Sequence, residues 1–504
     1  MIFFTGLRET DLPDRPHNCF GIDASFERIL NILGQISQPL ARDRYVTLSF
    51  GPEEKFRAIL APHAKILKTL EPTSLDRRRM DRIVKAALPE EWLNDLGERQ
   101  IIIRGRGGVG KTVILLQMAY KAYDNSGMRS LVLTYNKALV ADMRRTMALL
   151  GVPRQLENGG ISIETVHSYI GRLMHELGII GSDDAFLENY ERHKNALLDY
   201  LRSGAVTADD LASIIEEHAD AFAWDVIFVD EGQDWPSNEI DILRTVYASE
   251  RIVVTDGVDQ YVRASVAEWD KGIAREKIRP RRLRRCLRMK ANLARFVADC
   301  ARALDLQNWD LEPNPDANGG RVLIVEGDMA REAAIYEQLK SEAAELGNYP
   351  VDLLACVPPS LIVHDEDGTV SVPGRTILTA GSLVWDATAV DVREQFPTDR
   401  DALRIVQYDS CRGLEGWTVI NYAFDDFYDY KYHQWLETPQ ELGGLFDTQE
   451  GLAAAFAAQW IMIPLTRAMD TLVINLSSRP SPLRDAIKSV CDQRQDFIEW
   501  IRVN

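Results

Sequence analysis

The sequence predicts an α/β chain of two parallel sheets behind a mainly helical N-terminal accessory domain, and three observations carry that expectation. Short apolar, β-branched runs alternate with helix-length patterns from Ile101 onwards, as strands and covering helices of parallel sheets do. A glycine-rich turn follows the first of those runs and opens directly into a helix pattern. The chain is 504 residues long, more than one core normally supports, so about three compact units are expected. They divide as residues 1–97 (accessory, helical spacing in its second half), 98–275 (first lobe, with a small helical insertion near 180–222) and 276–504 (second lobe, with only a reduced accessory insertion).

Composition bounds the chemistry. Hydrophobic residues make up 46% and charged residues 27% of the chain, the balance of a folded globular protein rather than a disordered one. A formal net charge of -18 argues against a surface coated in basic residues for indiscriminate nucleic-acid binding. The densest local exception holds Arg279, Arg281, Arg282, Arg284, Arg285, Arg288 and Lys290, and it reads equally as a basic groove or a solvated face. Cys19, Cys286, Cys300, Cys356, Cys411 and Cys491 are scattered, without a C-x-x-C pair or a neighbouring histidine cluster. Free thiols, no structural zinc and a cytoplasmic setting are therefore expected. No apolar run reaches the ~18 residues that span a bilayer, so no membrane partner is expected.

The stretch Ile101-Ile102-Ile103-Arg104-Gly105-Arg106-Gly107-Gly108-Val109-Gly110-Lys111-Thr112 has every fixed position of a phosphate-binding loop, in the strand-loop-helix context such a loop requires. Gly105, Gly107, Gly108 and Gly110 free the backbone to turn its N–H groups towards one point at a helix N-terminus. Lys111 is placed to reach the β- and γ-phosphates, and the Thr112 hydroxyl to hold Mg²⁺. Further on, an apolar strand ends in Asp230-Glu231-Gly232-Gln233-Asp234. Two carboxylates there suit a Mg²⁺-ATP site, with Asp230 in the metal shell and Glu231 as the base that orients and deprotonates the attacking water. Gln260, after another strand, is placed to report the γ-phosphate. ATP and Mg²⁺ are the cofactors this set implies. The aromatic, acidic segment 425–437 is expected to pack or to contact a protein rather than bind nucleic acid, since its carboxylates repel phosphate. Glu53-Glu54-Lys55 has the look of a nuclease triplet, but after Gly51-Pro52 it reads as a helix start.

In their order, these motifs and those that follow resemble superfamily 1 helicases of the UvrD/Rep-like group, from Gly105 to Ala468. Thr134-Tyr135-Asn136-Lys137-Ala138 is similar to the family's first DNA-contact motif and Thr165-Val166-His167-Ser168 to the next. The resemblance implies nucleic-acid contacts at Thr134, Asn136, Lys137, Thr165 and His167. It implies that Gln233 couples nucleotide state to movement, as in the family's D-E-x-Q-D motif. Leu283-Arg284-Arg285-Cys286-Leu287-Arg288 looks like the segment whose arginine, here Arg288, reaches the γ-phosphate. Gly413-Leu414-Glu415-Gly416 is similar to the motif whose glutamate meets the ribose, and Leu465-Thr466-Arg467-Ala468 to the motif carrying an arginine finger. The resemblance further implies two RecA-like lobes that clamp ATP and translocate on single-stranded DNA with 3′-to-5′ polarity, RNA staying open as a substrate.

Several positions depart from the family pattern. No adenine-selecting glutamine stands between Val84 and Leu93, and Gln100 lies too close to the loop. Asp256 to Gln260 is a residue longer than usual, Trp269 is a weak substitute for the strand-stacking tryptophan, and Arg412 replaces a lysine before Gly413. The interval from Arg288 to Gly413 is short for the large domain that full-length relatives insert there. A rival reading is a nucleotide-switched sensor ATPase, in which residues 1–97 contact a protein partner and no strand is unwound.

Overall fold

The Ile101-Ile102-Ile103 run is buried on both faces because it lies inside a parallel sheet of six strands. These are β1 (Gln100–Gly105), β2 (Arg129–Thr134), β3 (Gly160–Thr165), β4 (Val226–Val229), β5 (Ile252–Gly257) and β6 (Ile278–Leu283), in the order β3-β2-β4-β5-β1-β6. Successive side chains alternate faces, so Ile101, Ile103 and Val132 enter one core while Ile102, Leu131 and Leu133 enter the other. The coordinates are a computed structural model that describes residues 72–503 apart from 86–87, 153–158, 182–185, 258–267, 307–308, 310, 366–367, 395, 398 and 438–447. Of the residues before 72 it describes 3–4, 19–21 and 24–25.

Two compact units result, Met1–Thr69 and Leu70–Asn504. Within the first, Phe3–Phe4 pairs in parallel with Cys19–Phe20. The Glu53-Glu54-Lys55 triplet and the helical spacing of residues 52–71 lie outside the described residues. The second unit holds both RecA-like lobes.

The second sheet has seven parallel strands, β7 (Arg321–Glu326), β8 (Leu353–Val357), β9 (Leu383–Asp386), β10 (Ala402–Gln407), β11 (Gly416–Asn421), β12 (Ala468–Leu476) and β13 (Ile498–Arg502), ordered β9-β10-β8-β11-β12-β7-β13. One hydrophobic cluster runs unbroken from the first sheet to the second, taking in Ile103, Leu115, Met289, Val406 and Ile474. The seam between lobes is thus a packed junction rather than an open gap.

Two boundaries differ from expectation. Residues after 275 are expected in the second lobe, yet β6 pairs with β1 in the first sheet, Arg281 opposite Ile103. Its arginines disguise it. Arg279 and Arg281 reach Asp95, Arg281 lies over the Trp92 ring, and with Pro280 they make the charged edge that discourages further pairing. Likewise α1 (Ser74–Lys85) and α2 (Glu90–Asn94), read as accessory, belong to the unit of the lobes: Leu75 enters the second lobe's core, and Ile83 and Trp92 the first's. Helices α3 (Lys111–Ser126), α4 (Lys137–Leu149) and α5 (Val166–Glu176) follow β1, β2 and β3, while α6 (Tyr190–Ser203) and α7 (Ala208–Glu217) form the insertion. Helix α8 (Phe424–Glu437) carries the aromatic, acidic segment, and it packs as expected. Phe427 stacks on Tyr408 at 4.2 Å, and the Lys431 ammonium sits 3.6 Å over the Trp460 ring. Among the described residues no helix is long and apolar enough to cross a membrane.

A buried acid ties α1 to the second lobe and makes stability depend on pH. Asp352 accepts from Thr73 Oγ1 (2.6 Å) and from the Tyr349 N–H (3.0 Å), and burial pushes its carboxyl up from 3.8 to about 6. A raised carboxyl favours folding below its ordinary range, and that contribution is lost as pH rises through about 6. Asp352→Asn is expected to remove this pH dependence, so that between pH 4 and pH 8 the wild type loses more stability than the variant, by up to about 3 kcal/mol. Thermal melts of both proteins across that range check the sign.

Candidate functional site

The site begins where β1 runs into α3. Gly108 and Gly110 adopt φ of +85° and +86°, a left-handed backbone that only glycine takes easily, and they bend the loop around the start of the helix. Lys111 Nζ donates to the loop's own carbonyls at Gly105 (2.9 Å) and Arg106 (3.3 Å), and burial lowers its pKa. Gly105 and Gly107 frame the same turn. Thr112 Oγ1 donates to Asp230 Oδ2 (2.9 Å), and Thr255 Oγ1 to Asp230 Oδ1 (2.6 Å). Burial, then the adjacent Glu231, raises the Asp230 pKa. A hydroxyl and a carboxylate at this spacing are hard oxygen donors, and two protein ligands fit an ion that keeps waters and phosphate oxygens as its other ligands. The residues present fit Mg²⁺.

Glu231 sits at the turn out of β4 with φ 52° and ψ 46°, a conformation that costs a non-glycine residue about 1 kcal/mol. Gln233 holds it there. Its Nε2 donates to Glu231 Oε2 (2.8 Å), while its Oε1 accepts from the Gly257 N–H (2.6 Å) at the end of β5. From the second lobe Arg412 pairs with Glu231 (3.4 Å) and with Asp234. Burial works to raise the Glu231 pKa, but Arg412, Lys111 and the Gln233 bond overcome it and bring it down to about 2.

The second lobe closes directly on the loop. A side chain on Gly108 would strike Met289 Cε at 2.9 Å and reach Thr466 Cβ at 3.5 Å, and one on Gly110 would press on Leu287 Cβ at 3.0 Å. Gly413, at φ +79°, lets its loop meet α4, where a Cβ would come within 2.3 Å of Leu139 Cδ2. Arg288 N–H donates to the Gly108 carbonyl (3.3 Å), its Nε to Glu415 Oε2 (2.9 Å) and its Nη1 to the Thr466 carbonyl (3.2 Å). Arg467 is buried beside it, with Nε on the Ile463 carbonyl and Nη2 on Thr466 Oγ1, each 3.0 Å. Burial and then Arg288 lower its pKa to about 10. Lys111, Glu231 and Arg467 share one electrostatic neighbourhood across the seam.

The residues expected to contact nucleic acid gather at the carboxyl ends of adjacent strands β2 and β3, largely with structural work of their own. Thr134 is buried. Asn136 Oδ1 caps α4 by accepting from the Ala138 N–H (3.0 Å), and its Nδ2 bridges to the Ser410 and Arg412 carbonyls of the second lobe (2.8 Å each). Lys137 opens α4 and is half-buried. Thr165 caps α5, accepting from the Ser168 N–H (3.2 Å), and His167 packs between the Tyr135 and Tyr190 rings at 5.6 and 4.7 Å. Gln260 lies outside the described residues. Trp269 is buried and donates from Nε1 to the Gly232 carbonyl (2.8 Å), so it braces the Asp-Glu loop instead of facing a strand. Of the basic run, Arg285 engages Asn314 and Asp316 and Lys290 engages Asp470, which makes much of it internal pairing. Cys286, Cys300, Cys356, Cys411 and Cys491 are free, buried thiols.

No protein-family model matches the chain, and no curated protein matches its sequence. Among solved structures it is similar to the arterivirus nonstructural protein 10 helicase, at 14% identity and a TM-score of 0.32, over 81% of this chain and 65% of that one. The complex of that helicase with DNA matches at 13% identity and the same TM-score of 0.32, over 79% and 65%. This chain thus spans just under two thirds of those proteins' length. The likeness is a loose one, and the two-lobed α/β fold rests on the sheets themselves.

Three contributors lie outside the expected site residues. Thr255 orients the Asp230 carboxylate, Arg412 holds Glu231 from across the seam, and Arg79 of α1 bonds Glu415 through Nε and Asp142 through Nη1 (2.8 Å). Only Arg412, next to Gly413, adjoins a readable motif.

Proposed function

We propose that this chain is a nucleic-acid-dependent nucleoside-triphosphatase: a motor of the superfamily 1 helicase type, with UvrD/Rep-like motifs, that hydrolyses ATP with Mg²⁺ between its two RecA-like lobes and steps 3′-to-5′ along single-stranded DNA. What supports this most is the approach of Arg412 and Arg467 from one lobe to the phosphate-loop lysine and the Asp-Glu pair of the other. Lys111 and the loop N–H groups would cradle the phosphates, and Thr112 with Asp230 would hold Mg²⁺, which when bound offsets charge on the phosphoryl oxygens. Glu231 orients the attacking water. Arg467 and Arg288 complete the site only when the lobes meet, so hydrolysis and closure become one event. Gln233, bonded to both Glu231 and the end of β5, carries that state towards the strand ends where Asn136 and His167 lie.

Phosphate release measured without nucleic acid, with single-stranded DNA and with single-stranded RNA tests the reading. Single-stranded DNA is expected to raise turnover severalfold, and strand displacement on tailed duplexes to favour a 3′ tail. Hydrolysis indifferent to every nucleic acid would overturn the motor.

A further inference from the structure

Glu231 takes a left-handed backbone, φ 52° and ψ 46°, which a non-glycine residue keeps only where its surroundings over-determine it. Three bonds do so here. The Glu231 N–H donates to Thr255 Oγ1 (3.3 Å), Gln233 Nε2 donates to the Glu231 carboxylate (2.8 Å), and Trp269 Nε1 donates to the carbonyl of the next residue, Gly232 (2.8 Å). Thr255 also bonds Asp230, and Gln233 touches the carboxylate itself, so each acts on more than the turn. The indole N–H reaches the peptide instead.

Trp269 is built firmly into this place. Its buried ring meets Trp235 nearly edge-on, with centroids 5.5 Å apart. Its own carbonyl accepts from Arg244 Nη2 and that of Lys271 from Arg244 Nη1 (3.2 Å), both out of helix Ser237–Tyr247. Asp270, between them, pairs with Arg104 (3.4 Å), the residue before Gly105 of the glycine-rich loop. A Cβ on Gly232 would lie 2.2 Å from Val254 Cγ1 of β5 and 3.0 Å from Trp269 Nε1. The peptide that follows Glu231 is thus wedged between a strand and the indole.

We propose that Trp269 is a positioning residue for the hydrolytic step, fixing through the Gly232 peptide the direction in which Glu231 presents its carboxylate. The inference rests on the reading of Glu231 as the group that orients the attacking water. Without the indole N–H the Gly232 carbonyl keeps the Trp235 N–H of its own turn (3.2 Å), and the strained residue before it can relax into ordinary backbone. The carboxylate then swings away from Gln233 and Arg412, while Lys111, Thr112 and Asp230 stay where they are. The rate falls and nucleotide affinity does not.

The test is a double-mutant cycle on phosphate release with Trp269→Phe and Glu231→Gln, beside nucleotide binding and thermal melting of each protein. Trp269→Phe keeps an aromatic ring against Trp235 and removes the donor. It is expected to lower kcat about five- to tenfold, the worth of one hydrogen bond, with KM within about twofold of wild type. In the Glu231→Gln background the same change should cost nothing further, because the carboxylate that Trp269 positions is already absent. A tryptophan that only supports the fold would cost the same factor in both backgrounds. The pH profile gives a second sign: a Glu231 released from Arg412 and Gln233 loses two contacts that depress its pKa, so the acid limb of kcat should move upwards in Trp269→Phe. An unchanged kcat, or an equal fall in both backgrounds, overturns the role of Trp269 and leaves that of Glu231 standing. A Glu231→Gln enzyme as fast as wild type overturns the underlying reading instead. Should Trp269→Phe fail to fold, Arg244→Gln unties the backbone that carries the indole, and the same comparison in both backgrounds decides the matter.

Discussion

Glu231→Gln is expected to lower kcat by about 10²–10⁴-fold while leaving nucleotide binding nearly intact. The amide keeps the size and one acceptor oxygen of the carboxylate, so the strained turn out of β4 and the bond from Gln233 have no reason to fail. What disappears is the negative charge that orients water. With a pKa near 2, Glu231 is ionised throughout the working range and contributes no acid limb to the rate between pH 5 and 9. That depression comes chiefly from Arg412, which opposes burial, so Arg412→Ala should shift the acid limb of kcat upwards. Linkage gives the matching sign for folding: a carboxyl lowered from 4.5 to about 2 stabilises the chain above pH 4.5 and loses that effect as pH falls towards 2. Phosphate release and binding of a fluorescent nucleotide separate chemistry from affinity. Retention of more than about a tenth of wild-type kcat would sink the assignment of Glu231 as base.

What could be read from the chain was whatever chemistry lies contiguous in it. The glycine-rich loop needs its glycines, Lys111 and Thr112 side by side, and Asp230 needs only to end a strand of the same sheet, so both are visible as short strings. Contacts closed by the fold were not. Arg79 and Glu415 stand 336 residues apart, and nothing in the arginine-rich spacing of α1 distinguishes a guanidinium aimed at a buried glutamate from one in solvent. Thr255 is hidden for a related reason. It lies inside an ordinary apolar strand, and only the neighbouring of β4 and β5 brings its hydroxyl to Asp230. The edge strand β6 was masked by its charges, because an edge is protected by the arginines that remove the apolar signature of a strand. At Asn136 and Thr165 a motif read for nucleic-acid contact also meets the local need of a helix for an N-cap.

Arg467→Ala is expected to cost about 10²–10³-fold in kcat with a far smaller change in KM, because its charge matters most when charge develops on the transferred group. The surroundings explain why it has so little to do beforehand. Its guanidinium is bonded only to neutral oxygens, those of Ile463 and Thr466, and burial together with Arg288 brings its pKa down to about 10. Lys111, on the other lobe, is lowered partly by Arg467 itself. Lys111 and Arg467 are like charges held across the seam, so a triphosphate lying between them adds an attraction to the cross-seam pairs that Arg412 already makes. Two consequences distinguish this from a purely structural arginine. The rise in Tm that ATP produces should shrink in Arg467→Ala, since less of the site's affinity depends on the closed state. Arg467→Lys should restore charge but not rate, because a single ammonium cannot keep the Ile463 and Thr466 bonds while reaching forward to a phosphoryl oxygen. Single-turnover hydrolysis measured beside nucleotide-dependent melting gives both results, and a lysine variant with wild-type kcat would mean that position 467 supplies only charge.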